Sequence, residues 1–464
     1  MPQTLDRLLK LFSLAMIVLI AATGIYAARG LYSDGSAWLI EMLPRGGFYI
    51  FDRHRAYAQV FVQAPVAFAI WLGTLDLNTL IRLHSFGFVG LPVVFWLGAL
   101  ILQFGNRLFW FFLMAFTVSY LRSSFFAAGE FSLAYGMTAF CASVLVREKI
   151  GFFLAVLLSL TAVVLTHSYE ATLFLGIFLT ALSVVRLVKL PTDTLGARGL
   201  IAIAGAIFLW SAYIGGRSTF FQRTYDGQSA ANLSALTEIH LVYLIAMPAL
   251  LMFLFTEYGR QFHKWICASV LLLAALYLFY VFRWDHRNIS YGYYSYAYRA
   301  LCCFLLLGVL SLASAWRFWP QLFKTKAISV RNDSYISVAV VVFFMSMAWL
   351  MLYHTYGYYK WAQRFEQAAM TLKSHAPIDK TAINTNHGLT YGYNWMWGNP
   401  FTSILLRGNA EAVVLNRSAF ISAEPSKYDN LDSRDPKGAN SQVEYDKYPL
   451  APFEKKAPLF PVKP

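Results

Sequence analysis

Charged side chains are scarce in this chain, and the places where they gather are informative. Lys, Arg, Asp and Glu make up 13% of the 464 residues, against 58% hydrophobic; a soluble domain carries roughly 25% charged residues. Asp34, in "YSDGSAW", follows the first long apolar run directly, and Glu41 and then Asp52 come after it in the same connection. A carboxylate so placed can accept a proton from an attacking hydroxyl, so Asp34, Glu41 and Asp52 are the candidate catalytic acids. Arginine is the second residue type of interest. The stretch "FRWDHRNISYGYYSYAYRA" (282–300) holds Arg283, Arg287 and Arg299 among five tyrosines. A guanidinium fork matches the oxygens of a phosphate, so these three lead the candidate phosphate binders, followed by Arg122 and Arg53. His167 and Glu170 share the four-residue turn "HSYE", and Glu130 closes the short connection that Arg122 opens. These three are candidates for orienting a bound substrate, or for holding an arginine.

Each of these residues taken singly is most simply a solvated or snorkelling helix-end group. Asp34 and Glu170 fit that explanation least well. Asp34 has few charged neighbours, and the turn that carries Glu170 is too short to project it far into water. Ionisable groups at membrane depth face a protein interior or a wet cavity.

The elements that must position these residues are apolar helices. Runs long enough to cross roughly 30 Å of hydrocarbon at 1.5 Å per residue lie near 9–29, 84–103, 108–127, 131–146, 150–166, 171–188, 199–215, 238–256, 265–282, 299–315 and 335–353. The expectation is an all-α polytopic membrane protein with about eleven transmembrane helices. A twelfth apolar stretch, "FVQAPVAFAIWLG" (61–73), is too short to span and is interrupted by Gln63 and Pro65. Parity supports leaving it out. If it does not cross, the basic connections "RLLK", "GNR", "REK", "RLVKLPTDTLGAR", "EYGRQFHK" and "WRFWPQLFKTKAISVR" all share the N-terminal side, while "HSYE", on the other, has no Lys or Arg. The positive-inside rule then predicts a cytoplasmic N-terminus and a long first exterior loop over about 30–83. Residues 56–73 would form an interfacial helix in that loop.

The first run reads as a retained anchor, since no small-x-small cleavage site precedes Asp34. Cys141, Cys267, Cys302 and Cys303 all fall in apolar runs and suggest neither a metal site nor a disulfide framework. The net charge of +14 is explained by cytoplasmic loop retention and attraction to anionic lipid, without nucleic acid. No Walker motif, dinucleotide fingerprint or zinc signature is present, so no cofactor is called for; a divalent metal is left open. The domain plan is a membrane domain over 1–353, a small exterior α/β module over 354–423, and a Pro-rich tail over 424–464. "KWAQRFEQAAMTLKSH" would continue the last span as a helix, and the tail would be extended or disordered unless it packs on the module.

This layout resembles the membrane glycosyltransferases of the GT-C superfamily. The resemblance lies in architecture over most of the chain: an acid in a long first exterior loop, interfacial helices within that loop, many spans and an exterior C-terminal portion. It implies a sugar donor carried on a polyprenyl phosphate and, as acceptor, a hydroxyl of an envelope glycan or glycolipid. The setting implied is the bacterial inner membrane, with chemistry on the periplasmic side. It also implies that the acceptor-assisting acid is Asp34. The chain departs from the Asp-Asp or Asp-Glu pair of many members, because Gly35 follows Asp34. Two rival readings use the same features. One is an O-antigen-type polymerase or ligase, which usually has its large exterior loop in the second half of the chain. The other is a lipid or solute transporter, for which no internal repeat or pair of broken helices is evident.

Overall fold

The fold comes from a computed structural model, and the description covers residues 2–32, 35–121, 130–190, 194–221, 239–254, 262–280, 296–323, 333–373, 398–409 and 450–460. Helix α1 spans Pro2–Tyr26. Two helices follow within the first loop, α2 over Gly35–Arg45 and α3 over Ala56–Trp71. Helix α4 (Leu77–Ser85) continues through a π-helical turn at Phe86–Gly90 into α5 (Leu91–Leu102). Helix α6 (Leu108–Phe116) ends in a second π-helical turn at Thr117–Leu121. Then come α7 (Glu130–Leu145), α8 (Phe152–Leu165), α9 (Thr172–Lys189) and α10 (Leu195–Phe221). The series continues with α11 (Ile239–Leu254), α12 (His263–Tyr280), α13 (Tyr296–Phe318), α14 (Asp333–Thr371) and α15 (Gly398–Arg407).

Among the described residues, seven helical stretches are long and apolar enough to cross a membrane, as in a polytopic membrane protein. Four shorter apolar helices, at Leu108–Leu121, Glu130–Leu145, Phe152–Leu165 and Tyr243–Phe253, occupy the remaining places where the sequence has a long apolar run. They fall short in length, at 10–17 residues. Residues 108–121 and 130–145 are buried almost throughout. The expected α/β character of residues 354–423 rests on runs that lie mostly outside the described residues; its described parts, the end of α14 and α15, are helical. The expected helical continuation of the last span is present. Helix α14 is one helix of 39 residues, about 58 Å long at 1.5 Å per residue, so nearly half of it must stand clear of a 30 Å hydrocarbon layer.

The two ends of the bundle are fastened by polar contacts. At one end, Lys10 donates to the carbonyls of Phe104 and Asn106 at 3.0 and 3.2 Å, and Asp6 accepts from Trp110 Nε1 and Ser337 Oγ. Arg186, fully buried on α9, donates to the carbonyls of Leu145, Arg147 and Glu148. It thereby satisfies carbonyls at the end of α7, where a cation also suits the helix dipole. At the opposite end the first loop, the "HSYE" turn, the far part of α14 and residues 450–460 meet one another.

Helix α3 runs unbroken through Gln63 and Pro65, which the sequence suggested as interruptions. Gln59 and Gln63 are both fully buried and lie four residues apart on one face. Gln63 accepts from Tyr49 N at 2.8 Å and donates to Tyr49 O at 2.7 Å, so its amide is used as a clamp on the preceding strand of loop. The same helix seats on the π turn: a Cβ on Gly87 would lie 1.8 Å from the Val62 carbonyl oxygen, an approach that glycine alone permits. At its far end, Trp71 Nε1 donates to Gly46 O at 3.0 Å and holds the turn that follows α2. The expected interfacial helix over 56–73 is thus a helix over 56–71 packed on the bundle.

The tail segment 450–460 is extended and packed. Leu77 N donates to Glu454 O and Glu454 N to Leu75 O, both at 2.9 Å, which forms an isolated parallel bridge between Asp76 and Glu454. Glu366, 2% exposed on α14, accepts from Leu459 N at 2.8 Å and Phe460 N at 2.9 Å and pairs with Lys455.

Candidate functional site

The site grows from a short turn in the first loop. Asp52 caps a 3-10 turn at Arg53–Arg55 by accepting from His54 N at 2.8 Å. That cap presents Arg55 to two helices the chain reaches much later. Arg55 Nη1 donates to Glu130 Oε2, at the first residue of α7, at 3.0 Å. Arg55 Nε and Nη2 both reach Glu170 Oε1, at 2.9 and 2.5 Å, in the turn between α8 and α9. The Tyr169 ring lies under the guanidinium, 5.1 Å from Cζ to centroid. Glu130's second oxygen accepts from Gln59 Nε2 at 2.9 Å, and Asp52 lies 3.6 Å from Arg55 Nε. Burial alone would lower the Arg55 pKa, but Glu130 and Glu170 outweigh it and hold it well above its ordinary value, so the cation is permanent.

His167 completes the junction. Its carbonyl accepts from Tyr57 N at 3.1 Å and Ala58 N at 3.3 Å, the first N–H groups of α3, which have no partner within that helix. Its ring meets Tyr57 edge to face at 4.9 Å. Burial, with the neighbouring charge of His54, lowers its pKa below the ordinary 6.5, against the opposing pull of a hydrogen bond with the Arg53 backbone.

Of the expected site residues, Asp52, Glu130, His167 and Glu170 therefore come together, and the residue that joins them is Arg55. The sequence alone gives Arg55 no role. Gln59 and Tyr169 were not singled out at all. The available signal was the spacing of Gln59 and Gln63 in an apolar run, which places two amides on one helix face. Arg53 is exposed beside the cluster. Glu41 stands elsewhere, on α2, paired with Arg45 four residues on at 2.8 Å. Asp34, Arg122, Arg283 and Arg287 lie outside the described residues, as does the side chain of Arg299, whose backbone is in the first turn of α13.

The backbone on either side of Asp34 is closely held. Gly35 is so tight against Gly30 that an added Cβ would sit 1.8 Å from the Gly30 oxygen. The Gly35 carbonyl is 2.8 Å from His84 Nε2, and Gly30 N donates to Ser85 Oγ at 3.1 Å. Arg29, 5% exposed, has Nη1 3.6 Å from Met351 Sδ on α14. The start of the first loop is thus anchored to both α4 and α14. Among the described residues no group of three or more His, Cys, Asp or Glu could hold a metal ion. No protein-family profile, curated protein or solved structure matches the chain.

Proposed function

We propose that the chain is a bacterial inner-membrane glycosyltransferase of the GT-C kind. It would transfer a sugar from a polyprenyl-phosphate donor to an envelope glycan or glycolipid on the periplasmic face. In this reading all eleven apolar segments cross, the N-terminus is cytoplasmic and the C-terminus periplasmic. The observation that carries the reading is the docking of the first loop. Arg55 on Glu130 and Glu170, with α3 starting on the His167 carbonyl, fastens the loop of Asp34, Glu41 and Asp52 to one end of the bundle. By parity, the arginine-bearing connections at 122–129 and 281–295 also belong at that end. A carboxylate for the acceptor hydroxyl and guanidinium groups for the leaving phosphate would then share one surface.

In this mechanism Asp34 accepts the proton of the acceptor hydroxyl as its oxygen attacks the anomeric carbon. Arg283, Arg287 and Arg299 take up the charge that develops on the departing phosphate. Arg55 plays a different part. Both of its carboxylate partners already occupy it, so it holds the loop and leaves the phosphate to the other arginines. The test uses membrane vesicles that contain the full chain, a panel of radiolabelled polyprenyl-phosphate sugars and glycolipid acceptors. Transfer should occur with one donor and fall by about 10²-fold or more in Asp34→Asn, the usual effect of removing a general base. No transfer from any donor, or parental transfer by Asp34→Asn, would sink the reading.

A further inference from the structure

The hydrogen bonds around Arg55 leave one carboxylate oxygen over. Glu130 uses both oxygens, one on Arg55 and one on Gln59. Glu170 spends Oε1 on two guanidinium N–H groups, whereas Oε2 is buried and has no partner among the described residues. An unpaired buried carboxylate oxygen is costly unless a donor reaches it. Ser218 Oγ is another buried polar atom without a partner among the described residues. It belongs to the same neighbourhood: Gly215, one turn earlier on α10, abuts the turn so closely that its Cβ would lie 3.0 Å from Glu170 O and 2.7 Å from Thr172 Oγ1.

The charges point the same way. Among the described residues Arg55 is the one cation paired with Asp52, Glu130 and Glu170; burial pushes Glu130 up to about 7, so at pH 7 the three carboxylates carry between one and two negative charges more than the guanidinium offsets. Arg53 in the same turn is exposed, where water and salt screen it. His167 has a lowered pKa and adds no charge at neutral pH. The cluster is partly open on its Asp52 side, where that side chain is 26% exposed.

We propose that Glu170 Oε2 is the seat of a protonated amino group on the sugar, so that the substrate is an amino sugar. The sugar in this statement rests on the glycosyltransferase reading; the preference for an amine rests on the cluster alone. An ammonium supplies both the missing donor and the missing positive charge, and charge-assisted hydrogen bonds are roughly twice as strong as neutral ones. A ring hydroxyl would supply the donor and leave the charge excess in place.

The experiment measures binding of soluble probes to the full chain in lipid nanodiscs at pH 7, by calorimetry. The probes are a hexose 1-phosphate, its 2-, 3- and 4-amino derivatives, and the N-acetyl form of each. N-acetylation keeps an N–H donor and removes the charge. At least one amino probe should bind about tenfold more tightly than both the parent hexose and its own N-acetyl form. Glu170→Gln, which keeps the oxygen that faces Arg55, should narrow that preference to about twofold or less. Equal binding of all probes by the wild-type chain overturns the proposal without need of a variant, as does a preference that survives Glu170→Gln. Transfer of a neutral hexose from a polyprenyl phosphate, with no amine preference in binding, would retain the enzyme reading and remove the amine. Amine-selective binding with no transfer from any donor would do the reverse.

Discussion

Arg55 is the residue on which the site depends most. It neutralises two carboxylates that come from separate parts of the chain, and both are buried. Removing one member of a buried ion pair typically costs about 3–5 kcal/mol, because the partner is left as an uncompensated charge. Arg55 keeps 14% side-chain exposure, so Arg55→Ala should sit at the low end, about 3 kcal/mol, seen as a lower Tm in detergent. Adding Glu170→Gln to that variant should recover part of the loss, since one of the stranded charges goes with it. Additive losses in the double variant would show that the two residues do not act as a pair. His167 gives a second test at this scale. Its folded-state pKa is depressed below 6.5, so between those values the unfolded chain binds more protons than the folded one. The associated stability is fully present above pH 6.5 and is lost as pH falls toward the folded value. Between pH 7.5 and 5 the wild-type Tm should fall more steeply than that of His167→Gln; parallel slopes would mean that His167 titrates as a free imidazole.

At the scale of elements, the first loop matters because its helices are packed rather than merely adsorbed. Helix α3 meets the π turn between α4 and α5 backbone to backbone at Gly87 and Val62. Gly87→Ala forces a carbon into that contact, and overpacking of this kind costs about 1–3 kcal/mol. The expected result is a lower Tm together with easier labelling of a cysteine placed at buried Val62. Unchanged labelling would mean that α3 is held by its glutamines alone. Much of this level was legible in the sequence. The shortness of "FVQAPVAFAIWLG" matches the 16-residue helix α3, and the run of helical residues after Tyr353 foretold the extension of α14. What could not be read was the π turn at 86–90, since no local pattern marks the insertion. Nor could the pairing of Arg55 with Glu130 and Glu170 be read, because the contact joins residues 75 and 115 positions apart and depends on how three helices stack.

At the scale of the whole molecule, polar contacts gather at two ends of the bundle, and the parity of the basic loops would put the first of these ends in the cytoplasm. Lys10, Arg186 and Arg317 hold one end: Lys10 and Arg186 bond carbonyls there, and Arg317 lies 3.7 Å from Glu148. The acid turn and the first loop close the other. Alkaline phosphatase fused to the C-terminus should therefore be active in bacterial cells, and a fusion at Glu148 inactive. The reverse pattern would put the Arg55 cluster in the cytoplasm and end the proposed periplasmic chemistry. Composition was enough to announce a bundle of apolar helices, but not the C-terminal closure of it, because Glu366 and Lys455 give no sign in sequence that they belong together.

That closure sets an order of assembly. Glu366 takes its partners from Lys455, Leu459 and Phe460, and the lysine is 89 residues further along the chain. At roughly 5–20 residues per second of synthesis, about 4–18 s separate the acid from its counter-charge. Throughout that interval Glu366 on α14 lacks these three partners, and Leu77 N at the start of α4 lacks the Glu454 carbonyl. The contacts of residues 450–460 therefore close this end of the bundle after the helices they join have been made.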